Sequence, residues 1–202
     1  MSFLYPIFIA FILIFVSELG DKTQFLVLSF SSKLKTSTIL FGVALGSFLS
    51  HGISILFGSS VGLLENDLLH NLLQFITYIS FILFGILSFL PEKPNNNITK
   101  KNNFLMKLSK IGLGYILIIA LSIAIGELGD KTFLASIGLG ISYPNSKFLL
   151  IIGAIFGMVV SDLFAILFGK FLSSKISESF MQKISGLLFI IFGIIGFIKF
   201  IF

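Results

Sequence analysis

Nearly the whole chain consists of apolar stretches as long as a bilayer crossing. They run from Phe3 to Ser32, roughly Thr38 to Leu64, roughly Leu72 to Leu90, Ile111 to Gly140, roughly Lys147 to Gly169, and Ile184 to Phe202. A helix needs about 20 predominantly apolar residues to cross the hydrocarbon core, so the pattern predicts an all-α membrane protein with six transmembrane helices. Composition agrees. Of 202 residues, 56% are hydrophobic, 26 are Phe and only 11% are charged, against roughly a quarter charged in a soluble domain. The first stretch is too long for a secretory leader and lacks both a basic start and a small-residue cleavage site, so it reads as a retained span. The only polar segment, 91–110, is rich in Asn and Lys and reads as a flexible linker. The absence of cysteine excludes disulfides, thiolate metal sites and Cys nucleophiles.

The two sides of that linker repeat each other. Glu18-Leu19-Gly20-Asp21-Lys22-Thr23 recurs as Glu127-Leu128-Gly129-Asp130-Lys131-Thr132, at an offset of 109. Gly42, Gly46, Ser50 and Phe57-Gly58 match Gly153, Gly157, Ser161 and Phe168-Gly169 at an offset of 111, and Phe81 to Gly85 matches Phe189 to Gly193 at 108. The expected organisation is a three-helix repeat over 1–90, a linker over 91–110 and a second three-helix repeat over 111–202. Three crossings are odd in number, so the second unit enters the membrane from the opposite side. The halves then form inverted repeats, an arrangement common in secondary transporters.

Lysine placement supports this topology. All 14 basic residues are Lys. Ten lie on the side holding the first, third and fifth connections (Lys33, Lys35, Lys93, Lys100, Lys101, Lys107, Lys110, Lys170, Lys175 and Lys183), against Lys147 and Lys199 on the other. The positive-inside rule puts the linker in the cytoplasm and both termini outside or in a lumen. The net charge of +5 thus reports orientation and not nucleic-acid binding. The compact length suits a prokaryotic plasma membrane or a related internal membrane.

Phe3 to Ser32 and Ile111 to Gly140 are 30 residues each. As straight helices they would run about 45 Å, against a core of roughly 30 Å. A break at the glycine of each acidic motif resolves the excess, so the first and fourth helices are expected to be interrupted there. Glu and Asp at i and i+3 are expected to share a helix face. Duplication then gathers Glu18, Asp21, Glu127 and Asp130 at one intramembrane site, with Thr23, Thr132 and Gln24 as further oxygen donors. Lys22 and Lys131 lie next in sequence. Four carboxylates and two ammoniums leave a charge of −2, which a divalent cation neutralises. An all-oxygen donor set suits a hard or borderline ion such as Ca²⁺ or Mn²⁺. Without it, four clustered carboxylates in a low dielectric cannot all stay ionised. Metal and protons therefore compete for one site, a sufficient basis for antiport. The plainer alternative is a self-neutralising clamp that pins a kink, although charge buried in lipid is costly.

Asp162 stands in the fifth stretch, and the repeat sets His51 opposite it. The pair reads as a proton relay, with Lys22 and Lys131 also on that path, or as an extra ligand on one side. The alternative for Asp162 is a carboxyl satisfied by neighbouring Ser161 or by helix backbone. The small residues at 42, 46, 50, 153, 157 and 161 read as close helix packing. Glu65, Asp67 and His70 read as a solvated loop.

Twin E-x-G-D-[KR]-[ST] motifs, one per three-helix half and separated by a polar loop, resemble the GDT family of Ca²⁺/Mn²⁺:H⁺ antiporters, which includes bacterial manganese exporters and Golgi cation/proton antiporters. The resemblance covers essentially the whole chain. It implies that Glu18, Asp21, Glu127 and Asp130 carry the cation and that Mn²⁺ or Ca²⁺ leaves the cytosol against inward protons. No cofactor or enzymatic activity is implied. The partners are the cation, protons and the bilayer, with a homo-oligomer left open. One departure stands out: the residue after the motif is usually polar, and here the second copy has Phe133 in place of the first copy's Gln24. Rival readings are a passive cation channel and an intramembrane aspartyl protease. The protease would need Tyr-Asp and Gly-x-Gly-Asp; the chain has no Tyr-Asp, and Gly126 stands four rather than three residues before Asp130.

Overall fold

A computed structural model describes residues 4–31, 34–64, 67–90, 114–175 and 178–201. The linker read at 91–110 lies outside the described residues. Helices α1 (Tyr5–Glu18) and α2 (Lys22–Ser31) form the first apolar stretch. Helix α3 (Thr36–Ser47) continues through a π-helical turn (Phe48–Gly52) into α4 (Ile53–Gly62), and α5 spans Asp67–Leu87. After the linker come α6 (Tyr115–Glu127), α7 (Lys131–Ser142), a 3₁₀ turn (Pro144–Ser146), α8 (Lys147–Lys175) and α9 (Glu178–Ile201). Asp67 and His70, read as loop, lie instead in the first turn of α5, with His70 Nε2 2.8 Å from the Gln74 amide, and Glu65 lies outside the described residues.

The described elements are helical, and Thr36–Gly62, Leu68–Leu87, Pro144–Leu167 and Gln182–Ile201 are long and apolar enough to cross a membrane. Tyr5–Glu18 and Tyr115–Glu127 are shorter apolar helices. Fourteen residues of α1 rise only about 21 Å, so α1 alone falls short of a crossing. The surface carries the same message. Phe41, Leu68 and Phe148 are each at least 68% exposed, in a skin of large apolar side chains that only lipid solvates favourably.

Both breaks share one geometry. Leu19 has φ −63° and ψ 115°, Gly20 has φ 79°, and the Asp21 N–H donates to the Glu18 carbonyl at 3.1 Å. Leu128 has φ −59° and ψ 118°, Gly129 has φ 80°, and the Asp130 N–H donates to the Glu127 carbonyl at 3.1 Å. These are type II turns, which need a positive φ at the third residue and therefore favour glycine. The expected shared helix face is thus corrected. Glu and Asp stand at the two ends of a tight turn, because the left-handed glycine stops the helix between them.

The packing of the halves is also matched. A Cβ on Gly42 would stand 2.7 Å from Ile119 Cβ, and one on Gly46 would stand 2.8 Å from the Ala120 carbonyl. At the corresponding glycines, Gly153 abuts the Ile7 carbonyl and Ala10, and a Cβ on Gly157 would meet the Phe11 carbonyl at 2.8 Å. So α3 lies on α6 as α8 lies on α1, each through glycines that admit backbone to backbone. Helices α5 and α9 pair with each other across the same relation, and Phe81 of α5 meets Phe189 of α9 edge-on at 5.9 Å. The buried apolar core includes Leu13, Ile14, Val43, Ile123 and Met158.

Candidate cation site at the two helix breaks

Each break delivers a glutamate to the interior. Glu18 is the last residue of α1 and Glu127 the last of α6, and each is 1% exposed. A carboxylate in that position sits at the negative end of a helix dipole and in a low dielectric, so both effects oppose it unless a cation or proton is present. The next half-helix reaches back across each turn: Thr23 Oγ1 donates to Glu18 Oε2 at 3.5 Å, and Thr132 Oγ1 donates to Glu127 Oε2 at 3.1 Å. The remaining oxygens, Glu18 Oε1 and Glu127 Oε1, are buried without a hydrogen-bond partner among the described residues. Thr23 and Thr132, anticipated as oxygen donors to the ion, here hold the glutamates by donating their protons.

Asp21 and Asp130 stand just beyond the turns, half-buried, where α2 and α7 begin. The Thr23 N–H lies 3.4 Å from Asp21 Oδ2, so Asp21 helps to cap α2. Glu127, Asp21, Asp130 and Asp162 all lie within electrostatic reach of Glu18. The group with ligand atoms within 4.8 Å of one another, however, is Glu18, Glu127 and His51. His51 was anticipated on a proton path or as an extra ligand, and its place beside both glutamates was not legible in the sequence.

His51 occupies the π-helical turn between α3 and α4 and is fully buried. Such turns insert an extra residue and often mark functional positions. Its Nδ1 lies 3.2 Å from Ser136 Oγ, and that hydroxyl is 2.8 Å from the Thr132 carbonyl. A hydroxyl has one proton. With that proton on the carbonyl, the serine oxygen accepts from Nδ1–H, leaving the lone pair of His51 on Nε2. Nε2 is buried with no partner among the described residues. Ser136 was not singled out in the sequence, although it lies one helical turn beyond Thr132 on the same face.

Gln24 has a different task from the oxygen donor anticipated. Its Oε1 accepts from the Gly20 N–H at 2.9 Å, inside the turn, and its Nε2 donates to the Ser161 hydroxyl at 2.8 Å and carbonyl at 3.2 Å. Gln24 therefore ties the first break to α8. Phe133, half-buried at the matching place, has no amide with which to do the same. Asp162 follows Ser161 on α8, 1% exposed, and neither of its oxygens has a hydrogen-bond partner among the described residues. Ser161, the alternative partner for Asp162, makes no hydrogen bond to it; its oxygen instead accepts from the Gln24 amide. Lys131 is half-buried at the start of α7, and the Lys22 side chain lies outside the described residues.

A bundle of apolar helices, four of them long enough to cross a membrane, with two helix breaks around buried carboxylates, has the character of a multi-pass membrane protein. The family model described as "Divalent cation/proton antiporter GDT1" matches residues 6–96 and 115–200, and the chain belongs to that family. It is a transporter and not an enzyme, which removes the protease reading. The chain is 24% identical over 179 residues to a Vibrio cholerae protein named "Putative manganese exporter", covering 87% of this chain and 82% of the relative. It is 28% identical over 200 residues to a GDT1-like protein of Synechocystis, covering 92% and 93%. A chloroplastic GDT1-like protein of Oryza sativa is 29% identical over 210 residues, covering 93% of this chain and 59% of the relative. No solved structure matches the chain significantly.

Proposed function

We propose that this protein exports Mn²⁺ and/or Ca²⁺ from the cytosol in exchange for protons, through six spans arranged as two inverted three-helix repeats over 1–90 and 111–202. The observation that carries the proposal is the meeting of Glu18 and Glu127. Repeat-related residues at the ends of two interrupted helices come within ligand reach of each other, each with a buried oxygen that lacks a partner among the described residues. The matched glycine contacts of α3 on α6 and α8 on α1 support the inverted repeat, and the lysine bias supports a cytoplasmic linker with both termini outside or lumenal.

In this mechanism Glu18 and Glu127 bind the cation as carboxylates. Asp21 and Asp130 stand at the entrance to the same site and add negative charge. When the cation leaves, the buried glutamates take up protons, since two bare carboxylates this close in a low dielectric are strongly disfavoured. Rocking one repeat against the other presents the site to alternate sides, and a site holding neither cargo pays the highest cost for crossing. Asp162, on α8, is the further proton carrier. The check is tracer flux in proteoliposomes containing the purified chain. An imposed pH gradient is expected to drive Mn²⁺ or Ca²⁺ uphill, with Glu18→Gln and Asp130→Asn impaired. Movement of neither metal would refute the proposal, and pH-independent movement down the metal gradient would indicate a channel.

A further inference from the structure

We infer that His51 is a direct ligand to the transported ion and makes the site selective for a first-row divalent transition metal such as Mn²⁺ over Ca²⁺, with Ser136 as the positioning residue. This rests on the transport function proposed above and goes further, because the carboxylates alone do not rank the two metals.

The geometry comes first. Donors bound to one ion at metal–ligand distances of about 2.0–2.6 Å stand no further apart than about 5 Å. The ligand atoms of Glu18, His51 and Glu127 lie within 4.8 Å of one another. The imidazole is fully buried, and its Nε2 has no partner among the described residues. A ring nitrogen in that state is expensive to leave unpaired. Ser136 supplies the orienting contact: by accepting from Nδ1–H it fixes the tautomer whose Nε2 lone pair is available, the arrangement that metal-bound histidines commonly use. The π-helical turn Phe48–Gly52 places the ring beside glutamates of both repeats.

The chemistry then separates the ions. Ca²⁺ takes six to eight oxygen ligands and gains little from an imidazole, whereas a nitrogen donor strengthens binding of first-row transition ions, Mn²⁺ least among them. Two glutamates and a neutral histidine together carry a charge of −2, which matches one divalent ion. The repeat sharpens the assignment, because the position matching His51 is Asp162, and an oxygen-only site had a carboxylate available there. The chain has imidazole on the side where the two glutamates meet.

The experiment uses the full-length purified chain loaded with Mn²⁺. Pulsed electron paramagnetic resonance reads nitrogen coupling from a directly bonded imidazole, and competition titrations give Mn²⁺ and Ca²⁺ affinities. The wild type is expected to show ¹⁴N modulation, and His51→Gln to lose it. His51→Gln is expected to bind Mn²⁺ at least tenfold more weakly while Ca²⁺ affinity changes less than threefold. Ser136→Ala is expected to weaken Mn²⁺ binding severalfold and spare Ca²⁺, with Ser136→Thr restoring it. Bound Mn²⁺ without ¹⁴N coupling in the wild type would overturn the inference, as would equal losses for both metals in His51→Gln. Should His51→Gln not fold, the wild-type spectrum alone decides. Flux separates the two claims: pH-driven transport without the nitrogen signal overturns the role of His51 alone, and the nitrogen signal without pH-driven transport overturns antiport alone. Absence of Mn²⁺ binding overturns both.

Discussion

The two halves of the site share a backbone and differ in what faces it. Both breaks are type II turns with glycine at a positive φ, and both glutamates are held by a threonine five residues on. Around the first break, Gln24 ties the turn to Ser161, and Asp162 stands beside that serine with neither oxygen bonded among the described residues. The second break has Phe133 in place of the amide. There His51 belongs to the rod formed by α3 and α4, which packs on α6 and α7, and it bonds to Ser136. The two turns form a matched cradle, and the side chains that face them differ. In the function proposed above, one side offers an imidazole to the metal and the other a carboxyl to protons.

The largest effects should follow removal of what the halves share. Glu18→Gln and Glu127→Gln are each expected to reduce pH-driven Mn²⁺ flux on the order of 100-fold or more, as loss of a ligand should exceed the 10–100-fold typical of outer-shell losses. Unequal losses in the two variants would break the symmetric part of the comparison. Asp162→Asn tests the asymmetric part. It keeps shape and volume, so Mn²⁺ affinity should change less than about threefold while uphill transport falls about tenfold, since it removes a proton carrier and not a ligand. Loss of Mn²⁺ binding in this variant would erase the division between the sides.

Smaller effects fall on the turns. Gln24→Ala removes three hydrogen bonds at one break and leaves the buried Ser161 hydroxyl without its amide donor. Thermal unfolding in detergent should show a loss of about 1–3 kcal/mol, and Phe133→Leu should show less than half of that. Gly129→Ala meets no atom within 4 Å, so its cost is the left-handed backbone alone, about 1–2 kcal/mol. Gly129→Asn should recover part of it, because Asn tolerates that region.

The sequence carried the apolar segments, the twin acidic motifs and the interruptions at Gly20 and Gly129, because these are local signals in hydropathy and residue type. The type II turn was in principle legible in Leu-Gly-Asp, yet an i, i+3 pair inside an apolar run reads first as a helix face. The seat of His51 was not legible. It depends on a π-helical turn that shifts the register by one residue and on the packing of α3 and α4 against α6 and α7, and neither leaves a period in the sequence. The tie that Gln24 makes to Ser161 was not legible for a related reason. An amide beside an acidic motif looks like a ligand until the partner helix brings Ser161 to it.

The central claim is that one cation site is built jointly by both halves. Equilibrium binding of Mn²⁺ to the purified chain tests it most directly. One ion per chain is expected, lost in Glu18→Gln and lost equally in Glu127→Gln. Two ions per chain, or one ion retained when either glutamate is replaced, would contradict a shared site.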